Sequence, residues 1–239
     1  MRGGTPFVVT LKTLPDIAGG KRAYGLSGLS DAEALEAIST LRRINKPDAG
    51  PDWPLPLQKI TAIAVAGFAG KGKTSFRFGA LGNEMSNEAE LLTELAQLLA
   101  VALYAAPNIA VGWQGREWLW PLLECRCVVN GVRMEVSSED EASTWDVAPQ
   151  FTGTVISSLG LRELAALWGE SCIAATGGGS ITELRQAAEV DAMLLMRMCM
   201  RVQAARGFDT QRQQAALKLW ATKPQPAHLA AFVSHSCRQ

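Results

Sequence analysis

No stretch of this 239-residue chain stays apolar for the roughly 20 residues a bilayer-spanning helix requires, which excludes a transmembrane helix. The segment Met1-Arg2-Gly3-Gly4-Thr5-Pro6 has a charge but only a brief apolar run after it, and reads as no signal peptide. Cysteines are few and odd in number: five, of which only Cys125 and Cys127 lie close together. That usage fits reduced thiols in a cytoplasmic protein better than a disulfide framework. Cys125-x-Cys127 also lacks the second pair that a zinc ribbon needs. The two histidines, His228 and His235, have a spacing that matches no common zinc arrangement even with Cys237 beside them, and read as surface residues. Net charge is absent as well, with 23 Lys+Arg against 23 Asp+Glu, so the global basic excess of a nucleic-acid binder is missing. No internal repeat and no low-complexity tract is found.

What is present is a chain that is 48% hydrophobic, enough to bury a sizeable core. The zero charge is an average over uneven parts. Residues 81–100 carry Glu84, Glu88, Glu90 and Glu94 with no cation, whereas residues 192–239 carry seven cationic residues against the single Asp209. The basic end reads as a solvated helical face or as a surface facing phosphates.

Strand and helix signals alternate. Phe7–Leu11 and Ile60–Ala66 read as strands, Asn108–Trp113 as a buried strand and Val132–Val136 as a short one. Ser30 with Glu33, Asn87 with Glu90, and Ser180 with Glu183 mark helix starts followed by apolar residues at helical spacing. Leu159–Trp168 reads as a further helix, Asp209 caps another, and Pro224 and Pro226 precede a final short one. The methionines at 193, 196, 198 and 200 read as buried core. Trp113, Trp118 and Trp120 read first as core and otherwise as surfaces for stacking bases. The pattern predicts one α/β domain over residues 1–208, with a helical C-terminal extension over 209–239 packed on it.

The loudest motif is Gly67-Phe68-Ala69-Gly70-Lys71-Gly72-Lys73-Thr74, which spells G-x-x-x-x-G-K-[ST]. In a P-loop, Gly72 and its neighbours would cradle phosphates at a helix N-terminus, Lys73 would reach the β/γ oxygens and Thr74 would hold Mg²⁺. Yet Ser75-Phe76-Arg77-Phe78 alternates polar and apolar and then meets Gly79 and Gly82. Each glycine costs a helix interior about 1 kcal/mol relative to alanine. No later apolar strand ends in the aspartate that would serve the metal: Asn108–Trp113 ends in Trp. A β-hairpin tip is the favoured reading, and a nucleotide-binding loop the alternative.

Several segments together resemble the predicted 3′–5′ exonucleases related to the proofreading domain of family B DNA polymerases. These belong to the DEDD group on a ribonuclease H-like fold. The family's opening Asp-Ile-Glu-Thr strand and Pro-Asp turn correspond to Thr10-Leu11-Lys12-Thr13 and Pro15-Asp16. Its F-N-G-x-x-F-D-x-P motif, with a following Arg and Gly, resembles Trp113-Gln114-Gly115-Arg116-Glu117-Trp118-Leu119-Trp120-Pro121, with Arg126 and Gly131 beyond. Its last motif, Tyr-Cys-Glu-x-Asp-Val, resembles Ala187-Ala188-Glu189-Val190-Asp191-Ala192. The resemblance spans about residues 5–208 and implies a ribonuclease H-like mixed sheet flanked by helices.

It also implies two Mg²⁺ ions about 4 Å apart on four carboxylates. At those positions stand Thr10, Lys12, Leu119 and Asp191, and the family's Tyr is Ala187. Leucine cannot ligate, and lysine brings positive charge to a cation's place. The resemblance therefore implies a degenerate exonuclease that needs no cofactor and acts as a nucleic-acid-binding or protein-partnered scaffold module. Lys12 is expected beside Asp191, its ammonium at the metal's position, because an uncompensated buried carboxylate costs several kcal/mol. Trp113, Gln114, Arg116 and Trp118 are the candidate contacts to single-stranded DNA or RNA. The enzymatic alternative is an active Mg²⁺- or Mn²⁺-dependent exonuclease with a metal site relocated to Asp191, Glu189 and Glu117.

Overall fold

The β-branched run that begins at Thr5 becomes the middle strand of a mixed sheet. In the computed structural model, which describes residues 4–45, 53–69, 75–104, 108–135, 144–148, 160–167 and 179–230, β1 (Thr5–Pro15) pairs antiparallel with β2 (Gln58–Ala69) and parallel with β4 (Asn108–Gly112). β2 in turn pairs antiparallel with β3 (Ser75–Ala80), and β4 pairs parallel with β5 (Thr144–Asp146). The order is β3-β2-β1-β4-β5. The helices are α1 (Ile17–Tyr24), α2 (Asp31–Asn45), α3 (Glu88–Tyr104), α4 (Trp120–Asn130), α5 (Leu161–Leu167), α6 (Ile181–Ala205) and α7 (Gln211–Ala221).

Alternation along β1 and β2 divides the core into two layers. Val8, Ala62, Ala64 and Ala66 face α6, whose Met193, Met196 and Met200 are buried in the same cluster. Short alanine side chains on the sheet let the long helix approach, and the flexible methionines fill the irregular space between. Val9, Leu11 and Ile63 face the other way, onto Leu91, Leu95 and Leu99 of α3 and Leu122 and Leu123 of α4. Between Lys12 and Thr13 the ladder slips: Lys12 opposes Ala62 and Thr13 opposes Ile60, leaving Thr61 as the extra residue. This bulge puts Ile60 and Ile63 in one core, a result a regular strand could not give.

The three capping pairs hold their helices as expected. Ser30 and Glu33, Asn87 and Glu90, and Ser180 and Glu183 each exchange bonds with the other's backbone N–H. At α7 the cap is Thr210, while the Asp209 carboxylate accepts from the Gln211 N–H at 3.0 Å. α7 lies on β3, where Trp220 meets Phe76 and Phe78 edge-on with ring centroids 5.5 Å away. No helix among the described residues is long and apolar enough to cross a membrane.

Three features depart from the sequence expectations. The strand expected over 132–136 does not form within its described part: Gly131 ends α4 with φ 65°, and Val132 and Met134 then pack on the α3/α4 core instead of joining a ladder. α1 forms despite Gly19 and Gly20. Its Asp16 cap accepts from the Gly19 N–H, and a Cβ on Gly20 would meet Ile38 Cδ1 at 2.5 Å, so the present packing on α2 is made against the glycine that propensity disfavours. His228 is not a plain surface residue: its ring sits mostly buried, with Nε2 at 2.6 Å from Glu189 Oε2. His235 and Cys237 lie outside the described residues.

The hairpin reading of residues 67–80 agrees with the structure. Gly67 lies within β2 opposite Arg77, and Ala69 opposes Ser75 across the two strands. A strand, not a helix, follows the motif. Gly72, Lys73 and Thr74 lie outside the described residues.

Candidate functional site: a cleft at the carboxyl ends of β1 and β4

β4 is short, and it partners only Thr5–Val8 of β1. Past Val8, β1 continues without β4 beside it, and a cleft of about 480 Å³ opens along residues 9–15. Such crevices at the carboxyl ends of parallel strands, where neighbouring connections diverge, are the usual ligand positions of α/β sheets. The volume falls within the range of small-ligand sites. Its walls include Thr10, Lys12, Leu119 and Asp191, together with Trp53, Trp113 and Trp118. The four positions singled out from the sequence therefore converge in one cleft.

Thr10 and Lys12 are two apart on β1 and share the face covered by α6. The Thr10 hydroxyl donates to the Ala188 carbonyl of α6 at 2.8 Å, which ties strand to helix. One turn along α6, the Asp191 carboxylate accepts from two cations: Lys12 Nζ on one oxygen, and Arg162 Nε of α5 at 2.8 Å on the other. The Asp191 side chain is 13% exposed, against 27% for each cation, so the carboxylate is the most enclosed member of the cluster.

A hard divalent cation needs oxygen ligands. Thr10 offers one uncharged hydroxyl, Lys12 is itself a cation, Leu119 presents hydrocarbon, and Asp191, the one carboxylate of the four positions, is paired with two cations. The residues present do not fit a divalent metal, and among the described residues no group of three or more His, Cys, Asp or Glu is arranged to hold one. Leu119 is 1% exposed and belongs to the α3/α4 core. It reaches the cleft because Gly112 ends β4 without a side chain: a Cβ there would sit 2.4 Å from Leu119 Cδ2.

The rim is aromatic and is organised by Gln58, at the start of β2. Its amide donates to the Trp53 carbonyl at 2.6 Å, and its Oε1 accepts from Trp118 Nε1 and Thr13 Oγ1, each at 3.3 Å. Gln114, beside Trp113 on the rim, has φ 49° and ψ 41°, a left-handed conformation that glycine or asparagine adopts more easily.

Other predicted residues are placed elsewhere. Arg116 is exposed outside the cleft wall, and its backbone N–H donates to Asp146 Oδ2 at 3.1 Å. Trp120 is core, 1% exposed. Ala187 is buried, and its carbonyl accepts from Arg162 Nη2 at 3.4 Å. Glu189 and Asp191, two apart on α6, point to different faces. Glu189 accepts from the Ala80 N–H at 2.9 Å and holds His228, while Glu117 is exposed. The relocated metal set of Asp191, Glu189 and Glu117 is thus not brought together. Basic C-terminal residues Arg197, Arg201 and Lys218 line a separate groove between α6 and α7.

A second ionic cluster forms just past Pro15, the last residue of β1. Arg126 of α4, 3% exposed, makes a bidentate pair with Glu88 at 2.5 and 2.8 Å and reaches Asp16 at 2.9 Å and the Pro56 carbonyl at 2.9 Å. Glu88 also accepts from the Ile60 N–H at 2.7 Å. Burial opposes the ionisation of Asp16, but the Gly19 N–H and the Arg126 guanidinium outweigh it and hold the carboxyl below its usual range. Burial likewise opposes the Arg126 charge, and the hydrogen bonds it donates to Glu88 and Asp16 outweigh that, so its pKa rises. The cluster ties α1, α3, α4 and β2 to one another and explains Pro15-Asp16 and Arg126 as structural.

Arg162, Trp53 and Gln58 carry no signal in the sequence. Arg162 is 29 residues from Asp191 on a different helix, and only the tertiary fold joins them. Comparison with models of known protein families finds no match, and comparison with curated proteins finds none either.

Proposed function

We propose that this chain is a ribonuclease H-like, 3′–5′ exonuclease-type domain that has lost two-metal catalysis and holds single-stranded nucleic acid in its cleft without cutting it. The sheet order β3-β2-β1-β4-β5, antiparallel across β1–β3 and parallel across β1, β4 and β5, supports the fold assignment. The observation that carries the functional reading is the Lys12–Asp191–Arg162 cluster, standing where the resemblance implies carboxylates and metals. Two-metal catalysis needs carboxylate-held ions to activate water and to stabilise the leaving oxygen, and Lys12 and Leu119 are not such ligands. Trp53, Trp113 and Trp118 on the rim supply faces on which bases stack regardless of sequence. Three free thiols among the described residues, Cys125, Cys127 and Cys199, accord with a reducing cytoplasm. The test is incubation of labelled single-stranded DNA and RNA with the protein and Mg²⁺ or Mn²⁺. Binding that weakens with salt while the strands stay intact supports the proposal. Stepwise release of nucleotides contradicts it, and so does a failure to bind at any salt concentration.

A further inference from the structure

Lys12 and Arg162 share one carboxylate, that of Asp191, which itself lines the cleft. We infer that Asp191 is an internal competitor for phosphate: the cleft binds a nucleic-acid phosphate directly on Lys12 and Arg162, without a divalent cation, and Asp191 limits its affinity. This rests on the nucleic-acid reading above and gives that site its regulation.

The argument is one of charge and geometry. The cations approach opposite oxygens of Asp191, one from β1 and one from α5. Both are part-exposed; Lys12 and Asp191 line the wall that includes Thr10, Trp113 and Trp118, and Arg162 follows Leu161 of that wall and holds the far oxygen of Asp191. A guanidinium and an ammonium are the two side chains that phosphate recognition uses, the first as a planar fork and the second as a point charge. A phosphate entering the cleft would gain hydrogen bonds from both but would meet the Asp191 charge at close range. In an exonuclease of the resembled kind, carboxylates bring in the cations that bind the phosphate, and losing one weakens the site. Here the cations are covalent parts of the chain, so the sign is reversed.

Asp191→Asn keeps the shape and removes the charge. Binding of a short fluorescein-labelled oligothymidylate, followed by anisotropy in EDTA, is expected to tighten about tenfold in the variant, with Mg²⁺ making no difference in either protein. Unchanged or weaker binding by Asp191→Asn, with the unmodified chain binding normally, overturns the competitor role and leaves the nucleic-acid reading in place. Loss of binding in EDTA with recovery in Mg²⁺ also overturns it. No binding by either protein removes both proposals. Should Asp191→Asn fail to fold, Arg162→Gln decides. Weaker binding with a salt slope shallower by about 0.7 supports direct phosphate contact, and an unchanged affinity and slope refutes it.

Discussion

Replacing Lys12 by alanine removes one of the two cations on a carboxylate that is 13% exposed. Breaking a fully buried ion pair from one side costs about 3–5 kcal/mol, because the remaining charge is stranded. Two features reduce that figure here. Arg162 stays on the other oxygen at 2.8 Å, and Lys12 itself is 27% exposed. The expected loss is therefore about 2 kcal/mol, which for a chain of this length lowers Tm by about 4–8 °C. A surface lysine truncated as a control, such as Lys223→Ala, should change stability by less than about 0.5 kcal/mol. The assay is thermal and urea denaturation of Lys12→Ala, Asp191→Asn and the double variant. Because the two side chains touch, the cycle should show a coupling of about 1–2 kcal/mol, with the double variant less damaged than the sum of the singles. A melting point for Lys12→Ala equal to that of the control, or additive single effects, would refute the claim that the pair stabilises the cleft floor.

Four further predictions concern the frame of the site. Arg126→Ala strands Glu88 and Asp16 in the interior and should cost about 3–5 kcal/mol by urea denaturation, enough to unfold many domains. Asp16 has a folded pKa below its unfolded value of 3.8, so its contribution is present above that pH and lost as pH falls through the folded value. Acid titration should show an added loss of stability below about pH 4, absent in Asp16→Asn. Gln114→Gly relieves a left-handed backbone and should raise stability by about 1 kcal/mol by the same denaturation assay. The Cys127 thiol, pushed up to about 11 by burial and by the nearby Glu88 and Glu124, should resist a thiol reagent at neutral pH until the protein unfolds.

The sequence made the local devices readable and the global ones only in part. Capping pairs, the alternation of β1 and β2, and the hairpin after the glycine-lysine motif depend on neighbours in the chain, and all are present. α1 was hidden because its glycines answer a contact with Ile38 that no local pattern records. β5 is three residues long and gains its place from β4, which periodicity cannot show. In the site, Thr10, Lys12, Leu119 and Asp191 could be aligned by resemblance, and the expected approach of Lys12 to Asp191 is seen. Arg162 could not be found in that way, since its role exists only where α5 meets α6. Arg116 looked basic and central by position, yet it turns out of the cleft because Gly115–Leu119 coils before α4.

The claim at the centre of this account is that Lys12 and Arg162 have taken over the electrostatic work of metal ions in the cleft. Calorimetric titration of the protein with Mn²⁺, with and without a bound single-stranded oligonucleotide, tests it most directly. The account predicts no saturable metal binding in either state and an oligonucleotide affinity that EDTA leaves unchanged. Stoichiometric Mn²⁺ binding that Asp191→Asn abolishes, or an oligonucleotide that binds only when metal is present, would contradict it.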